Sequence, residues 1–328
     1  LVSIAGILAN PASGKDIRRL VAYGSVFDNQ EKVRMARRLI LGMERGGAKR
    51  IVYMPDAYGI VERALSAISI AIPATPIEMP LRNTQQDTNT AAELMETLGV
   101  ACMVVLGGDG TSRAACKGAV NVPILPLSTG TNNVFPYMGE ATIAGLAAGL
   151  AASGKLPIEQ CCVQACMFDI LRNQEAVDIA LVDAAVYDDV FMASRAVWQL
   201  EKVPQLFLTR CRADAIGLSA IGGQLRSIRP EDPKGLALEL GQPAQIEVSA
   251  AIAPGMFATV GVRSLGEMLP GEVHPIHTAP GMIAVDGERE VDIHRGDEMA
   301  IRLNTNGPKV VDVRRVMALA REHGIFTR

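Results

Sequence analysis

Along the first 150 residues, short apolar runs alternate with longer segments of helical period. The runs at 2–9, 50–54, 77–79, 101–106 and 122–127 have the length and apolar character of buried strands. Between 28 and 45, Val33, Ala36, Ile40 and Met43 share one helical face, and Asp28 with Glu31 three residues later forms an N-cap and its capping-box partner. A second helix is predicted over 87–98, and "TIAGLAAGLAAS" reads as a buried helix rich in small residues. Strand and helix alternating in this way predict a parallel sheet covered on both faces, in which ligands bind at the carboxyl ends of the strands.

After Gly154 the texture changes. "AVDIALVDAAVYDDV", "GLALEL", "AQIEVSAAIA", "MFATVGV", "MIAVDGEREVDI" and "EMAIRLN" are short strand-like runs separated by Gly, Pro and Asp, the spacing of an antiparallel, β-rich unit. "RRVMALAREHG" reads as a closing helix.

Composition narrows the classes. The 328 residues are 49% hydrophobic and 20% charged, enough for two ordinary domains with a large core. A net charge of −3 and 4% aromatic residues leave no broad footprint for nucleic acid. No apolar run approaches the ~20 residues that span a bilayer, and the apolar start lacks the basic leader of a signal peptide. The six cysteines sit mostly in apolar surroundings, and "CCVQAC" lacks a second Cys/His pair at zinc spacing. The simplest reading is a reduced, cytoplasmic protein.

The candidate chemistry lies in loops that follow predicted strands. "ANPASGKD" fails the Walker A pattern at both ends, because Ala9 stands for Gly and Asp16 for Ser or Thr. "GGDGT" (Gly107, Gly108, Asp109, Gly110, Thr111) lacks the third glycine of a dinucleotide fingerprint, since Arg113 stands there. Its glycines still let backbone N–H groups approach an anion, and the following helix N-terminus favours negative charge. Asp109 matches a magnesium–phosphate complex or a substrate hydroxyl, or else is an N-capping residue of a strand-turn-helix. The loop "LPLSTGTNNVFP" follows the next strand. Three polar, small-residue loops on one sheet edge point to a ligand.

"NP-x-SGK", "GGDGT" and the late "VDGE", in that order, resemble the NAD kinase and diacylglycerol kinase superfamily. The opening "NPASGKDIRRLV" is most similar to the branch named for acetoin catabolism protein X, and the likeness runs nearly the whole length. The resemblance implies a Rossmann-like α/β domain at 1–154, rejoined by 308–328, and a β-rich, sandwich-like acceptor domain at 155–307. It also implies a cleft between them, ATP and Mg as cofactors, and phosphoryl transfer to a hydroxyl. Asp109 and Glu288 would be catalytic, Asp109 as base or magnesium organiser. The nucleotide side would comprise Asn10, Ser13, Gly14, Gly107, Gly108, Gly110, Thr111, Gly130, Thr131 and Asn132. The acceptor side would comprise Ser128, Asp183, Ser219, Gly222 and Asp286.

The sequence departs from NAD kinases on the acceptor side. Val182 and Asp183 stand for a usual Asn-Glu pair, "GLSAIGGQL" for a Thr-rich loop, Ser128 for Asn, and Glu288 for Gln. The Asp-Gly-Glu triplet at 286–288 is closer to the lipid-kinase branch. NAD, phosphorylated at its 2′-hydroxyl, is the leading acceptor, with a lipid or other small alcohol as the alternative. A non-catalytic nucleotide sensor on the same scaffold is the competing class. Small-molecule partners and a homo-oligomer are expected from the resemblance. Lys15 reads as a phosphate contact or a solvated loop lysine, Asn10 and Ser13 as ligand contacts or turn caps. His274 and His277 read as a loop pair with no nearby carboxylate.

Overall fold

The computed structural model describes residues 3–13, 28–130, 132–189 and 199–327. Six apolar or small residues form β1 (Ile4–Ala9), and all six are buried. A strand without a polar alternation belongs at the centre of a parallel sheet. β1 pairs in parallel with β2 (Arg50–Tyr53) and with β4 (Cys102–Gly107). β3 (Ala74–Pro76) and β5 (Ile124–Ser128) extend the sheet to the order β3-β2-β1-β4-β5. The strand expected at 77–79 is three residues earlier, at the edge, where Pro76 is tolerated in the ladder. Ile77 is apolar because it packs into the core beneath the sheet.

Helices cover both faces. On one lie α1 (Asn29–Gly46) and α2 (Ile60–Leu65); on the other lie α3 (Gln85–Thr97) and α4 (Asp109–Gly118). Asp28 caps α1 by accepting the Glu31 N–H at 2.7 Å. α5 (Ala141–Ser153), the Gly/Ala-rich run, packs against α1 on the first face. The two backbones touch through glycines on both helices. A Cβ on Gly145 would lie 2.3 Å from the Leu39 carbonyl oxygen, and one on Gly42 2.4 Å from that of Thr142.

Beyond α6 (Ile158–Cys161) and β6 (Cys162–Gln164), the chain builds two antiparallel sheets. β9 (Asp183–Tyr187), β10 (Gln205–Leu208), β11 (Gly235–Leu240), β12 (Ile246–Ala253), β13 (Met256–Met268), β15 (Gly281–Val285) and β16 (Glu288–Ile293) make the larger. Its order is β12-β13-β11-β10-β9-β15-β16. β7 (Met167–Arg172), β8 (Glu175–Ala180), β14 (Val273–Pro275) and β17 (Met299–Asn304) make the smaller, in the order β14-β17-β7-β8. Side chains from both sheets, including Phe168, Ile170, Phe207, Ile283 and Ile301, form a shared core. Phe168 and Phe207 meet edge to face at 6.3 Å.

The chain then returns to the first sheet. β18 (Lys309–Val311) pairs in parallel with β5 and antiparallel with β6, and α8 (Val313–Glu322) buries Val316 and Ala320 beside α5. Between β10 and β11, α7 (Leu218–Gly223) packs on the outer face of the larger antiparallel sheet. Among the described residues no helix is long and apolar enough to cross a membrane.

Candidate functional site

The strand order reverses between β1 and β4, and the loops leaving these two strands lie side by side. That is the crevice at which open α/β sheets hold ligands. The Asn10 N–H donates to the Leu106 carbonyl at 3.2 Å, and the Asn10 amide to Thr111 Oγ1 at 3.1 Å. Ser13 shares a hydrogen bond with Thr129 Oγ1 at 3.1 Å, joining the first loop to the one after β5. The Thr129 N–H donates to the Gly107 carbonyl at 3.2 Å. The three polar loops therefore form one surface. Gly14, Lys15 and Thr131 fall outside the described residues.

The glycines of "GGDGT" face close neighbours. A Cβ on Gly107 would stand 2.4 Å from Thr111 Cβ, and one on Gly108 2.7 Å from Asn133 Oδ1. One on Gly110 would stand 3.0 Å from Glu288 Oε1, which puts the carboxylate of the second region against this loop. Asp109 does not cap its own helix. Gly108 is the N-cap, and the Asp109 carboxylate reaches the third loop, accepting the N–H groups of Val134 at 3.1 Å and Phe135 at 2.8 Å.

From the antiparallel region come Asp183, at the start of β9, and the β15–β16 turn. Asp286 and Gly287 have φ of +52° and +75°, as a two-residue hairpin turn between Val285 and Glu288 demands. The Asp286 carboxylate is fully buried and points inward. It accepts the N–H groups of Leu181 at 2.9 Å and Val182 at 2.7 Å. Burial pushes its pKa up to about 7, opposed by the Arg113 guanidinium, whose Nε lies 3.5 Å away. Arg113 is 1% exposed and also pairs with Asp178 at 3.1 Å, which Lys117 meets at 2.9 Å. Because α4 carries Arg113 and Lys117, this cluster ties the "GGDGT" helix to the antiparallel region. Asp286 thus has a large structural share.

A shallow, open cleft lies between the regions. Asp109, Asn132, Asp183 and Asp286 line it on one side; Leu200, Ile216, Leu218 and Ile252 give it an apolar wall. Ser219 and Gly222 are not brought to it. Ser219 is fully buried with its hydroxyl toward the Ile216 carbonyl at 3.4 Å, and a Cβ on Gly222 would strike Leu208 Cδ1 at 2.3 Å. Their α7 neighbours Gly217 and Leu218 line the cleft instead. Ser128 is buried within its own loop, donating to the buried Gly130 carbonyl at 2.6 Å and accepting from Asn133 at 2.8 Å.

Several charged groups escaped the sequence reading. Lys32 is fully buried in α1 and donates to the carbonyls of Asn10, at 2.9 Å, and Ser13, at 2.6 Å, bracing the "NPAS" turn from beneath. It sits among the apolar positions of an amphipathic helix, where nothing in the local pattern marks it. Arg210, just past β10, is 6% exposed and stacks over Phe135 at 4.5 Å. His274 does have a carboxylate beside it, Glu272 at 2.9 Å. The β13–β14 turn supplies that contact.

Comparison with known proteins agrees with this architecture. Residues 6–155 match the ATP-NAD kinase N-terminal domain, and residues 166–306 the acetoin catabolism protein X C-terminal domain. The acetoin catabolism protein X of Cupriavidus necator (strain H16) is 36% identical over 341 residues, spanning 99% of this chain and 94% of that protein. The chain belongs to the acetoin catabolism protein X family. Within this family its amino-terminal half is NAD kinase-like and its carboxyl-terminal half is the family's own antiparallel region. Among solved structures, a diacylglycerol kinase from Bacillus anthracis str. Sterne is 12% identical, with a TM-score of 0.42 over 94% of this chain and 96% of that one. A further chain from the same organism is 10% identical, with a TM-score of 0.49 over 94% and 97%.

Proposed function

We propose that the chain is an ATP- and Mg-dependent phosphotransferase of NAD kinase-like type, acting on a hydroxyl acceptor. The observation that carries this reading is the meeting of Asp109 with Asp183, from the two regions, at one cleft, with Glu288 against Gly110 of the same loop. Gly107 has Thr111 packed against it and Gly108 has Asn133, and glycines in such a loop let backbone N–H groups approach an anion closely. Among the described residues no three acidic, His or Cys side chains converge as a complete metal site. That suits magnesium arriving on a nucleotide, which needs only one or two carboxylates besides phosphate oxygens. Asp109 is the residue to hold it, and when bound the ion neutralises charge on the transferring phosphoryl group.

The protein's own part is positioning. Gly107, Gly108, Gly110 and Thr111, with Asn10, Ser13, Gly130 and Asn132 around them, orient the nucleotide, as Gly14 and Thr131 would from the same loops. Glu288, against Gly110, faces the acceptor hydroxyl and takes its proton, while Asp109, fixed by two amides, is kept for the magnesium. Asp183 binds the acceptor, while Ser128, Ser219, Gly222 and Asp286 act from behind by shaping the walls.

Two acceptors are supported by separate observations. NAD is favoured by the match of residues 6–155 to the ATP-NAD kinase domain. A small alcohol with an apolar body is favoured by the wall of Leu200, Ile216, Leu218 and Ile252. The Cupriavidus relative is named for acetoin catabolism, so acetoin, a small hydroxyketone, belongs in the panel. The test is to incubate the protein with Mg·ATP and NAD, read NADP with an NADP-specific enzyme, then follow ADP release with other alcohols. NADP formation assigns NAD, and ADP release with another alcohol alone assigns that class. Tight nucleotide binding with no product from any acceptor overturns the kinase reading in favour of a nucleotide sensor.

A further inference from the structure

Arg210 has no place in the chemistry above, yet its environment is unusual. The backbone is fixed on both sides: the Thr209 N–H donates to the Val182 carbonyl at 2.9 Å, and Cys211 exchanges two backbone hydrogen bonds with Ile228. The side chain leaves the antiparallel region and enters the loop after β5, with its guanidinium over the Phe135 ring. Nε and Nη2 are buried and have no hydrogen-bond partner among the described residues. A structural arginine ordinarily spends its planar fork of donors on carboxylates or carbonyls.

The groups facing it explain why it stays charged. Burial lowers its pKa to about 10; Asp109 is the strongest opposing influence, followed by Asp286, with Cys166 and Cys116 contributing less. Phe135, beneath the guanidinium, is not an ordinary core aromatic. Its backbone N–H is the 2.8 Å donor to Asp109, and the Val134 N–H is the second donor. A cation desolvated against a ring face is attracted to it more strongly than in water. The guanidinium therefore bears on the short segment that aims the Asp109 carboxylate, and it does so from the other region of the molecule.

We propose that Arg210 is a positioning residue: a buried guanidinium from the antiparallel region that clamps the Val134–Phe135 segment through the Phe135 ring and so fixes Asp109 in the cleft. The consequence is that Asp109 is correctly placed only when the two regions are packed together. The role in turnover rests on the proposed kinase reading; the clamp itself does not.

Two readouts on the full chain separate these. In Arg210→Met, which keeps length but removes charge, amide exchange at Val134 and Phe135 accelerates about tenfold or more, while Leu181 and Val182, held by Asp286, keep their protection. Arg210→Lys falls between wild type and Arg210→Met at Val134 and Phe135, since it offers a cation without the planar stack, and leaves Leu181 and Val182 unchanged. Adding Arg210→Met to Phe135→Leu accelerates exchange no further, because both act through one contact. In turnover, Arg210→Met lowers kcat about 100-fold with KM for Mg·ATP within about threefold, and added ethylguanidinium restores part of the rate to Arg210→Gly. Unchanged exchange at Val134 and Phe135 in Arg210→Met overturns the clamp. Acceleration that is equal at all four amides and not relieved by lysine also overturns it, as it marks global loosening. Should Arg210→Met fail to fold, Arg210→Lys and Phe135→Leu carry the same comparison. A wild type inactive toward every acceptor overturns the kinase reading and leaves the exchange result to decide the clamp.

Discussion

The two sides of the cleft are built by different means. The parallel-sheet side is made from the three loops that leave the neighbouring strands β1, β4 and β5, and it is knit by neutral hydrogen bonds between them: Asn10 with Thr111, Ser13 with Thr129, Thr129 with Gly107. The antiparallel side is held by buried charges and the donors paired with them. Asp286 reaches the amides of Leu181 and Val182, and Arg113 reaches Asp178 and Asp286. The first design tolerates the loss of one such contact, because a neutral hydrogen bond contributes only about 0.5–1.5 kcal/mol. The second does not, because removing one partner leaves another charge buried.

The largest expected effect attacks the point where both sides meet. Asp109→Asn keeps one acceptor oxygen for the Val134 and Phe135 amides but loses the charge, and is expected to lower turnover about 10³-fold. ADP release under saturating Mg·ATP measures it. Turnover within a few-fold of wild type would remove Asp109 from the chemistry. Next, Arg113→Met leaves the buried Asp286 carboxylate without its cation and Asp178 with Lys117 alone, and is expected to destabilise by about 3 kcal/mol in urea unfolding. A loss under 1 kcal/mol would mean that the antiparallel side is as tolerant as the other.

Gly145→Ala tests the parallel-sheet side away from the cleft. The added methyl meets a backbone oxygen of α1, so the helices must separate, at about 1–3 kcal/mol. A further effect concerns pH. Asp286 is raised to about 7 when folded, against a usual carboxylate value of ~4 unfolded. Between those values the folded state binds more protons, so stability falls as pH rises from about 4 to 7. Unfolding midpoints across that range should slope downward, and Asp286→Asn should flatten the slope; an unchanged slope would put Asp286 at an ordinary pKa. The smallest effect is Ser219→Ala, which loses one weak internal hydrogen bond. It should cost at most about 1 kcal/mol and leave KM for any acceptor unchanged, whereas a raised KM would return Ser219 to the cleft.

The same contrast explains what could be read in advance. β1, β2, β4 and β5 were legible because a buried parallel strand is a continuous apolar run, and "GGDGT" because its glycines are contiguous. α1 was legible from Asp28 and its face of Val33, Ala36, Ile40 and Met43. The edge strand was misplaced to 77–79 because Ile77 is apolar for packing, not for pairing. Ser219 and Gly222 are expected on the acceptor side from their place in a Thr-rich loop, but their segment folds as a helical turn that faces the core, leaving Gly217 and Leu218 at the cleft. Lys32, Arg113 and Arg210 gave no local signal at all. A buried cation looks like a surface one until the acceptors around it are known.

By itself, the sequence determined the α/β-then-antiparallel layout, the order of the motifs and the position of the "GGDGT" turn, since each follows from periodicity or from backbone conformations that only particular residues allow. Tertiary structure alone decided that Asp109 is aimed by the amides of Val134 and Phe135, that Glu288 lies against Gly110, and that Arg113 and Arg210 are buried between regions. The physical reason is one of range. Hydrophobic pattern and turn chemistry act over a few residues, whereas the free energy of a charge depends on everything within several ångströms of it, whichever part of the chain supplies it.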